Sequence, residues 1–279
     1  MRLLIVLTSL LLAASAQAQL LVTDLAGPAT LAGGGRVAIL ATLPAGSVLS
    51  LGPQGRAVLA HLASGREFPL AGPGEFRLDA DAVTGPAGTP ISPAALPGGA
   101  GLPAVARTSR IAMAATRMRS LTGCDTDADP QSAGLDPTDT VIAPDERTLR
   151  WTATAGADTY WVSLGPPGGA NLAVQVGAAR SWPLPPSIAL ESGKLYEWRV
   201  QAFRGTLPIS TRVGTFSVMA PETSARLAQL VPGPGAPIAH RVLQAAQWQE
   251  AGARQRACGL WREIRAQRPE DPGLEALLR

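Results

Sequence analysis

Two histidines, His61 and His240, are all the imidazole in this chain of 279 residues. In catalysis an imidazole needs a nucleophile and an orienting acid beside it; in a metal site it needs two or three further ligands. His61 lies in an apolar run between Ala60 and Leu62, His240 stands near a helix start, and no acid sits at a telling spacing from either. Structural or surface histidines are therefore expected, with no catalytic, cofactor-binding or metal-ligating residue and no cofactor. A hydrolase would need one of them in a cleft beside serine, cysteine or carboxylate. The alternation Asp125, Asp127, Asp129 invites a calcium loop, but the glycine and glutamate that such a loop requires at its sixth and twelfth positions are here Pro130 and Asp136. A hydrated acidic linker is the expectation. Gly33-Gly34-Gly35 does not lead a strand into a helix, so a phosphate cradle is not expected either. The loop Gly165-Pro166-Pro167-Gly168-Gly169 and the carboxylate pairs Asp145-Glu146 and Glu270-Asp271 read as turns and solvated charge.

Cys124 and Cys258 are the only thiols. In an oxidising compartment they could pair, closing a long loop and adding roughly 4–5 kcal/mol of stability in the chain-entropy picture. Two buried free thiols are the alternative, since Cys258 adjoins the apolar stripe of an expected helix. Of the six tryptophans, Trp151, Trp161, Trp182 and Trp198 fall between residues 140 and 218. At strand positions large aromatics usually fill a core. Trp161 is offset by one from Tyr160, so one of that pair must face outward. That outward residue and Trp182, in a proline-rich stretch, form a candidate sugar-stacking surface, while Trp248 and Trp261 are candidates for an interaction surface on the C-terminal helices.

The elements that must position these residues begin with Leu190–Ala202. Tyr196, Trp198, Val200 and Ala202 alternate strictly, which places them on one face of a half-buried strand. Leu190 and Gly193 precede Tyr196 at steps of three, the arrangement in which a tyrosine hydroxyl bonds back to upstream backbone as a tyrosine corner. Strands are also expected at Leu149–Trp151, Thr159–Leu164, Leu172–Val176 and Gly214–Val218. This stretch, residues 140–220, resembles a fibronectin type III domain, and the resemblance implies a β-sandwich that serves as scaffold or recognition surface.

Between Leu20 and Val83 the short apolar runs Val37–Leu40, Val48–Leu51, Ala57–Leu62, Phe68–Leu70 and Phe76–Leu78 are separated by Gly and Pro, the pattern of a β-roll or sandwich. Gly46, Gly55, Gly65 and Gly74 stand where the chain must reverse, and glycine alone enters positive φ freely. The run Leu43-Pro44-Ala45-Gly46-Ser47-Val48-Leu49, the hairpin Ala57–Leu70 and the closing Ala71-Gly72-Pro73-Gly74-Glu75 resemble the FecR-like domain of bacterial envelope proteins. FecR proteins of iron signalling carry a cytoplasmic anti-sigma segment and a membrane span before this domain. Here a leader precedes it directly, so the resemblance implies a periplasmic module without direct control of a sigma factor.

Residues 85–139 read as a Pro/Gly-rich and acidic linker. Arg107, Arg110, Arg117 and Arg119 within it mark a basic segment, residues 104–121, whose alanine-rich apolar face suits packing on a neighbour better than a lipid surface. After Pro221 the period changes. Ile238–Ala251 and Ala253–Gln267 read as two helices broken at Gly252, with Ala257, Leu260, Trp261 and Ile264 on one face. Trp248, Gly252, Ala257, Trp261 and Pro269 resemble a tetratricopeptide repeat, although Arg241, Gln244 and Ala245 replace its early tryptophan, leucine and glycine. A further helix is expected from Asp271. So few repeats do not bury enough surface alone, so the tail, residues 221–279, must pack on the sandwich, a partner or a second copy.

The address lies in residues 1–18. Met1-Arg2, an apolar run Leu3–Ala14 and Ser15-Ala16-Gln17-Ala18 form a secretory leader with a small-x-small cleavage site. The run is shorter than the roughly 18–20 residues that cross a bilayer, so no stable membrane insertion is expected after cleavage. The net charge of +3 is small and dispersed, which gives nucleic acid no electrostatic footprint. The expectation is a mainly β periplasmic protein: a FecR-like β-domain at 19–84, a fibronectin-like sandwich and a short α-helical hairpin. Its expected role is non-catalytic binding or scaffolding, as the extracytoplasmic partner of a membrane signalling protein, with an envelope or inner-membrane protein as its own partner. The alternative is a glycan- or peptidoglycan-binding module.

Overall fold

The computed structural model describes residues 19–96, 124, 132–169, 171–229, 233 and 235–278. The leader, the basic segment and the run Asp125–Pro130 lie outside the described residues. The chain is mainly β, in several predominantly antiparallel sheets, with a C-terminal helical region. No described helix is long and apolar enough to cross a membrane.

The first nine strands are β1 (Gln19–Ala26), β2 (Ala29–Leu31), β3 (Thr42–Pro44), β4 (Val48–Leu51), β5 (Arg56–His61), β6 (Arg66–Ala71), β7 (Gly74–Leu78), β8 (Val83–Thr84) and β9 (Ala94–Ala95). They form a five-stranded sheet ordered β3-β1-β5-β6-β9 and a four-stranded sheet ordered β2-β4-β7-β8. Alternation decides the inner faces: Phe68 and Leu70 on β6, Phe76 and Leu78 on β7 and Leu49 and Leu51 on β4 are all buried.

Three expectations change here. Val37–Leu40 is a largely buried turn rather than a strand, with Leu40 at φ 67° and its N–H donating to the Val22 carbonyl at 2.8 Å. Gly46 and Gly65 do adopt positive φ (86° and 68°), but Gly55 and Gly74 are required for space. A Cβ there would lie 2.9 Å from the Gly52 carbonyl oxygen and 2.5 Å from Pro86 Cγ, respectively. Finally, residues 85–96 belong to this body and not to a linker: β9 pairs with β6, and Leu96 is buried against the same core.

The sandwich contains β10 (Leu135–Asp136), β11 (Thr140–Ile142), β12 (Thr148–Trp151), β13 (Thr159–Gly165), β14 (Leu172–Gly177), β15 (Ser181–Pro183), β16 (Leu195–Arg204) and β17 (Leu207–Val218). It therefore starts a few residues before 140. A three-stranded sheet, β10-β12-β15, faces a five-stranded one, β11-β17-β16-β13-β14, and only the β11–β17 pairing is parallel. The core holds Trp151, Tyr160, Val162, Trp198, Val200 and Phe216. Trp198 is fully buried and its indole N–H donates to the Pro137 carbonyl at 2.8 Å. The Tyr196 hydroxyl accepts the Glu191 N–H at 2.8 Å, which is the tyrosine corner expected from Leu190, Gly193 and Tyr196.

Four helices follow: α1 (Pro221–Ala228), α2 (Ile238–Glu250), α3 (Arg254–Gln267) and α4 (Pro272–Leu278). α2 ends in a Schellman turn, in which Gly252 takes φ 80°, the Ala253 N–H donates to the Trp248 carbonyl and the Gly252 N–H to that of Gln249. α4 is capped by Asp271, whose Oδ1 accepts the N–H groups of Gly273 and Leu274. The helices do not form a separate tail. Val242, Ala246, Trp248, Trp261, Ile264 and Leu274 share one continuous core with the first two sheets. The pair of helices lacks the apolar area to stand alone, and β1 supplies the surface that further repeats would have provided.

Polar ties fix that joint. Arg268 grips Asp24 through two bonds of 2.9 and 3.0 Å, and Asp271 Oδ2 accepts the Ile39 N–H at 2.9 Å. His240 Nε2 lies 3.3 Å from Glu67 Oε2 on β6. Cys124 and Cys258 are disulfide-bonded, which anchors residue 124 on α3, and the Cys124 N–H donates to the Leu277 carbonyl at 3.2 Å.

Candidate functional site

Of the four tryptophans expected at an interaction surface, the structure leaves one exposed. Trp182 sits on the inner face of β15 opposite Leu149 and is buried in the sandwich core, because β15 is a short strand where a loop was expected. Trp248 and Trp261 are buried where α2 and α3 meet the first body; the Trp261 indole N–H donates to Gln249 Oε1 at 2.7 Å, and the Arg256 guanidinium covers the Trp248 ring at 4.3 Å. Both are core residues, since the helices turn their apolar face to the β-sheets. Between Tyr160 and Trp161, tyrosine takes the inner position, its hydroxyl accepting the Thr154 N–H at 3.0 Å. Trp161 points outward, 41% exposed.

The register shows what surrounds Trp161. On β13 it is paired with Gln201 of β16 on one side and Gln175 of β14 on the other, and Gln201 is paired with Thr211 of β17. Directly paired residues project from the same face of a sheet. Thr211, Gln201, Trp161 and Gln175 thus form one row across four strands, all exposed. Nearby, Arg199 and Glu197 are bonded to each other at 2.9 and 2.7 Å. The offset from Tyr160 marks Trp161 in the sequence, whereas Gln175 and Gln201 come beside it only through strand pairing.

The second open feature is the edge of the same sheet. Among the described residues β14 pairs with β13 alone and stands at the end of its sheet. Residues 165–179 contain no charge. Leu172 is 51% exposed, and Val174 and Val176 are only partly covered by the sandwich core. Natural edge strands are commonly protected by charge, proline or a bulge. Leu172–Gly177 has no charge and no proline, and its one register shift lies at the Gly177 end.

A cleft of about 490 Å³ lies where the sandwich meets α3. Glu146, Arg256, Thr138 and Gln255 tie the sandwich to α3 across it, while Arg147 is held within the sandwich. Glu146 pairs with Arg256, Arg147 Nη2 donates to the carbonyls of Pro185 and Ile188, and Gln255 Oε1 accepts the Thr138 N–H. Beside Arg256, the Gly252 carbonyl accepts the Val141 N–H at 2.9 Å, and a Cβ on Gly252 would come 2.6 Å from Val141 Cγ2. Burial raises the Asp136 carboxyl above its ordinary range, against the pull of Arg150.

His61 does have a serine neighbour: its Nδ1 lies 2.5 Å from Ser64 Oγ. The contact joins residues three positions apart at the turn after β5, the ring is 3% exposed, and Nε2 is buried without a partner. Burial lowers the imidazole pKa. No group of three or more His, Cys, Asp or Glu side chains with metal-holding geometry occurs among the described residues.

No family model and no curated protein matches the chain. Among solved structures it is similar to the fn3 domain of the human collagen alpha-1(XX) chain, with 27% identity, covering 41% of this chain and all of that domain, at a TM-score of 0.25. The sandwich described above rests on its own strand order and tyrosine corner.

Proposed function

We propose that this protein is a non-catalytic binding and scaffold protein of the bacterial periplasm, where it serves as the extracytoplasmic partner of a membrane signalling protein. The leader at residues 1–18 and the FecR-like run Leu43–Glu75 motivate the compartment. The observation that carries the binding role is the uncapped edge of β14. Among the described residues no strand pairs with its outer side, its length of six residues suits strand addition, and its apolar side chains are incompletely covered. The helical surface that a tetratricopeptide repeat would offer is already used inside the first body, which favours the sandwich as the part that faces a partner. In this reading an envelope or inner-membrane protein adds an extended strand to β14, placing alternate apolar side chains beside Leu172 and Val174.

A photoreactive residue placed at exposed Ala173 in living cells tests the assignment. A crosslink to an inner-membrane protein that disappears in Leu172→Lys, with unchanged melting, is the expected result. A crosslink that survives Leu172→Lys, or none at all under conditions where a buried control site is silent and expression is normal, removes the support for this role.

A further inference from the structure

We infer that the outer face of the five-stranded sheet, centred on Trp161, is a carbohydrate-binding face that takes the apolar side of a neutral pyranose ring. The inference is independent of the β14 edge, because it uses the face of the sheet rather than its free backbone.

Trp161 is set apart by what the fold does with the other tryptophans. The remaining five are all buried at 9% exposure or less, and Tyr160 already fills the adjoining core position. No packing requirement of the sandwich calls for an indole on the outside of β13. The neighbours of that indole have the chemistry of sugar recognition. An aromatic face carries negative quadrupole charge and attracts weakly positive C–H groups, which one side of a pyranose presents. Hydroxyl groups at the ring edge act as donor and acceptor at once, and a glutamine amide offers both functions on one side chain, as a threonine hydroxyl does. Gln201 and Gln175 flank the indole on either side, with Thr211 beyond.

The charge pattern selects among ligands. The row has no ionisable residue, and the nearest ion pair on the strands, Arg199–Glu197, is satisfied within itself. A neutral sugar therefore meets no unpaired charge, whereas an acidic or cationic ligand finds no counter-ion in the row. A protein hot spot of comparable size normally rings its tryptophan with contacts that exclude water; here the row partners are amides and a hydroxyl open to solvent. Three strand spacings give the row a length of roughly 14 Å, enough for more than one ring.

The experiment titrates the full mature chain with two neutral probes, an N-acetylglucosamine tetramer and a β-glucan hexamer, by calorimetry and by acrylamide-quenched tryptophan fluorescence. Because Trp161 is the one exposed indole, ligand should protect a single quenchable component. Saturable binding of either probe is expected, with affinity lowered at least about tenfold in Trp161→Ala and retained within about threefold in Trp161→Phe. Gln201→Ala should weaken binding about fivefold while melting stays unchanged. Neither probe binding the wild-type chain, or binding that Trp161→Ala and Gln201→Ala both leave intact, overturns the inference. Loss of a protein crosslink in Trp161→Ala without any sugar binding also overturns it and assigns the face to protein.

Discussion

At His61, burial converts directly into a pH dependence. The ring is almost wholly removed from water, Nε2 has no partner to stabilise a second proton, and desolvation lowers the pKa in the folded chain. The unfolded chain takes up its proton near pH 6.5, so below that pH it binds more protons than the native state. The stabilisation is complete above the unfolded value and is lost as the pH falls beneath it. The melting temperature of the wild-type chain is expected to drop between about pH 7 and pH 5, with part of that slope removed in His61→Gln. An identical slope in the variant would show that His61 is not the group responsible. The same residue illustrates what sequence conveys at this scale. An apolar run around a histidine announces burial, but the contact with Ser64 and the unpartnered Nε2 depend on how the β5–β6 turn closes.

Among elements, the turn and strand around Tyr196 were the most legible, because the alternation and the corner both lie within about a dozen residues of chain. Removing the hydroxyl leaves the Glu191 N–H without its acceptor. Tyr196→Phe is expected to destabilise the sandwich by about 1–2 kcal/mol, measured by urea melts followed through the tryptophans, four of which lie in the sandwich. An unchanged midpoint would mean that the bond contributes nothing net. α2 and α3 were equally legible from their period and from Gly252. β15 was not: three residues ending in Pro183 carry too little pattern, which is why Trp182 reads as a surface residue in the sequence and is buried in the structure. Other short pairings are likewise decided by partners, as β9 exists only because Ala94 and Ala95 meet Glu67 and Arg66.

For the whole molecule, the decisive fact is that residues far apart in sequence complete one core. Ile39 and Asp271 are hydrogen-bonded across 232 positions, and α2 and α3 share the core to which β1 belongs. The sandwich has its own hydrophobic cluster. Truncation after Ala220 is therefore expected to leave the sandwich folded while the first body exposes apolar surface. Calorimetry of the truncated chain should retain a single cooperative transition, that of the sandwich, and a hydrophobic dye should bind this chain strongly. Two intact transitions and no dye binding in the truncated chain would refute the shared core.

Sequence by itself determined the local grammar of this protein: which stretches alternate, which repeat at helical period, where the chain turns, and that Tyr160 and Trp161 must face opposite ways. These follow from the periods of strand and helix, which a short window of residues already expresses. Tertiary structure alone decided that the helices finish the first body, that Cys124 reaches Cys258, and that two glutamines flank Trp161. Each of those depends on strand register or on which apolar faces meet, and such choices are made by competition among distant segments for the same buried surface.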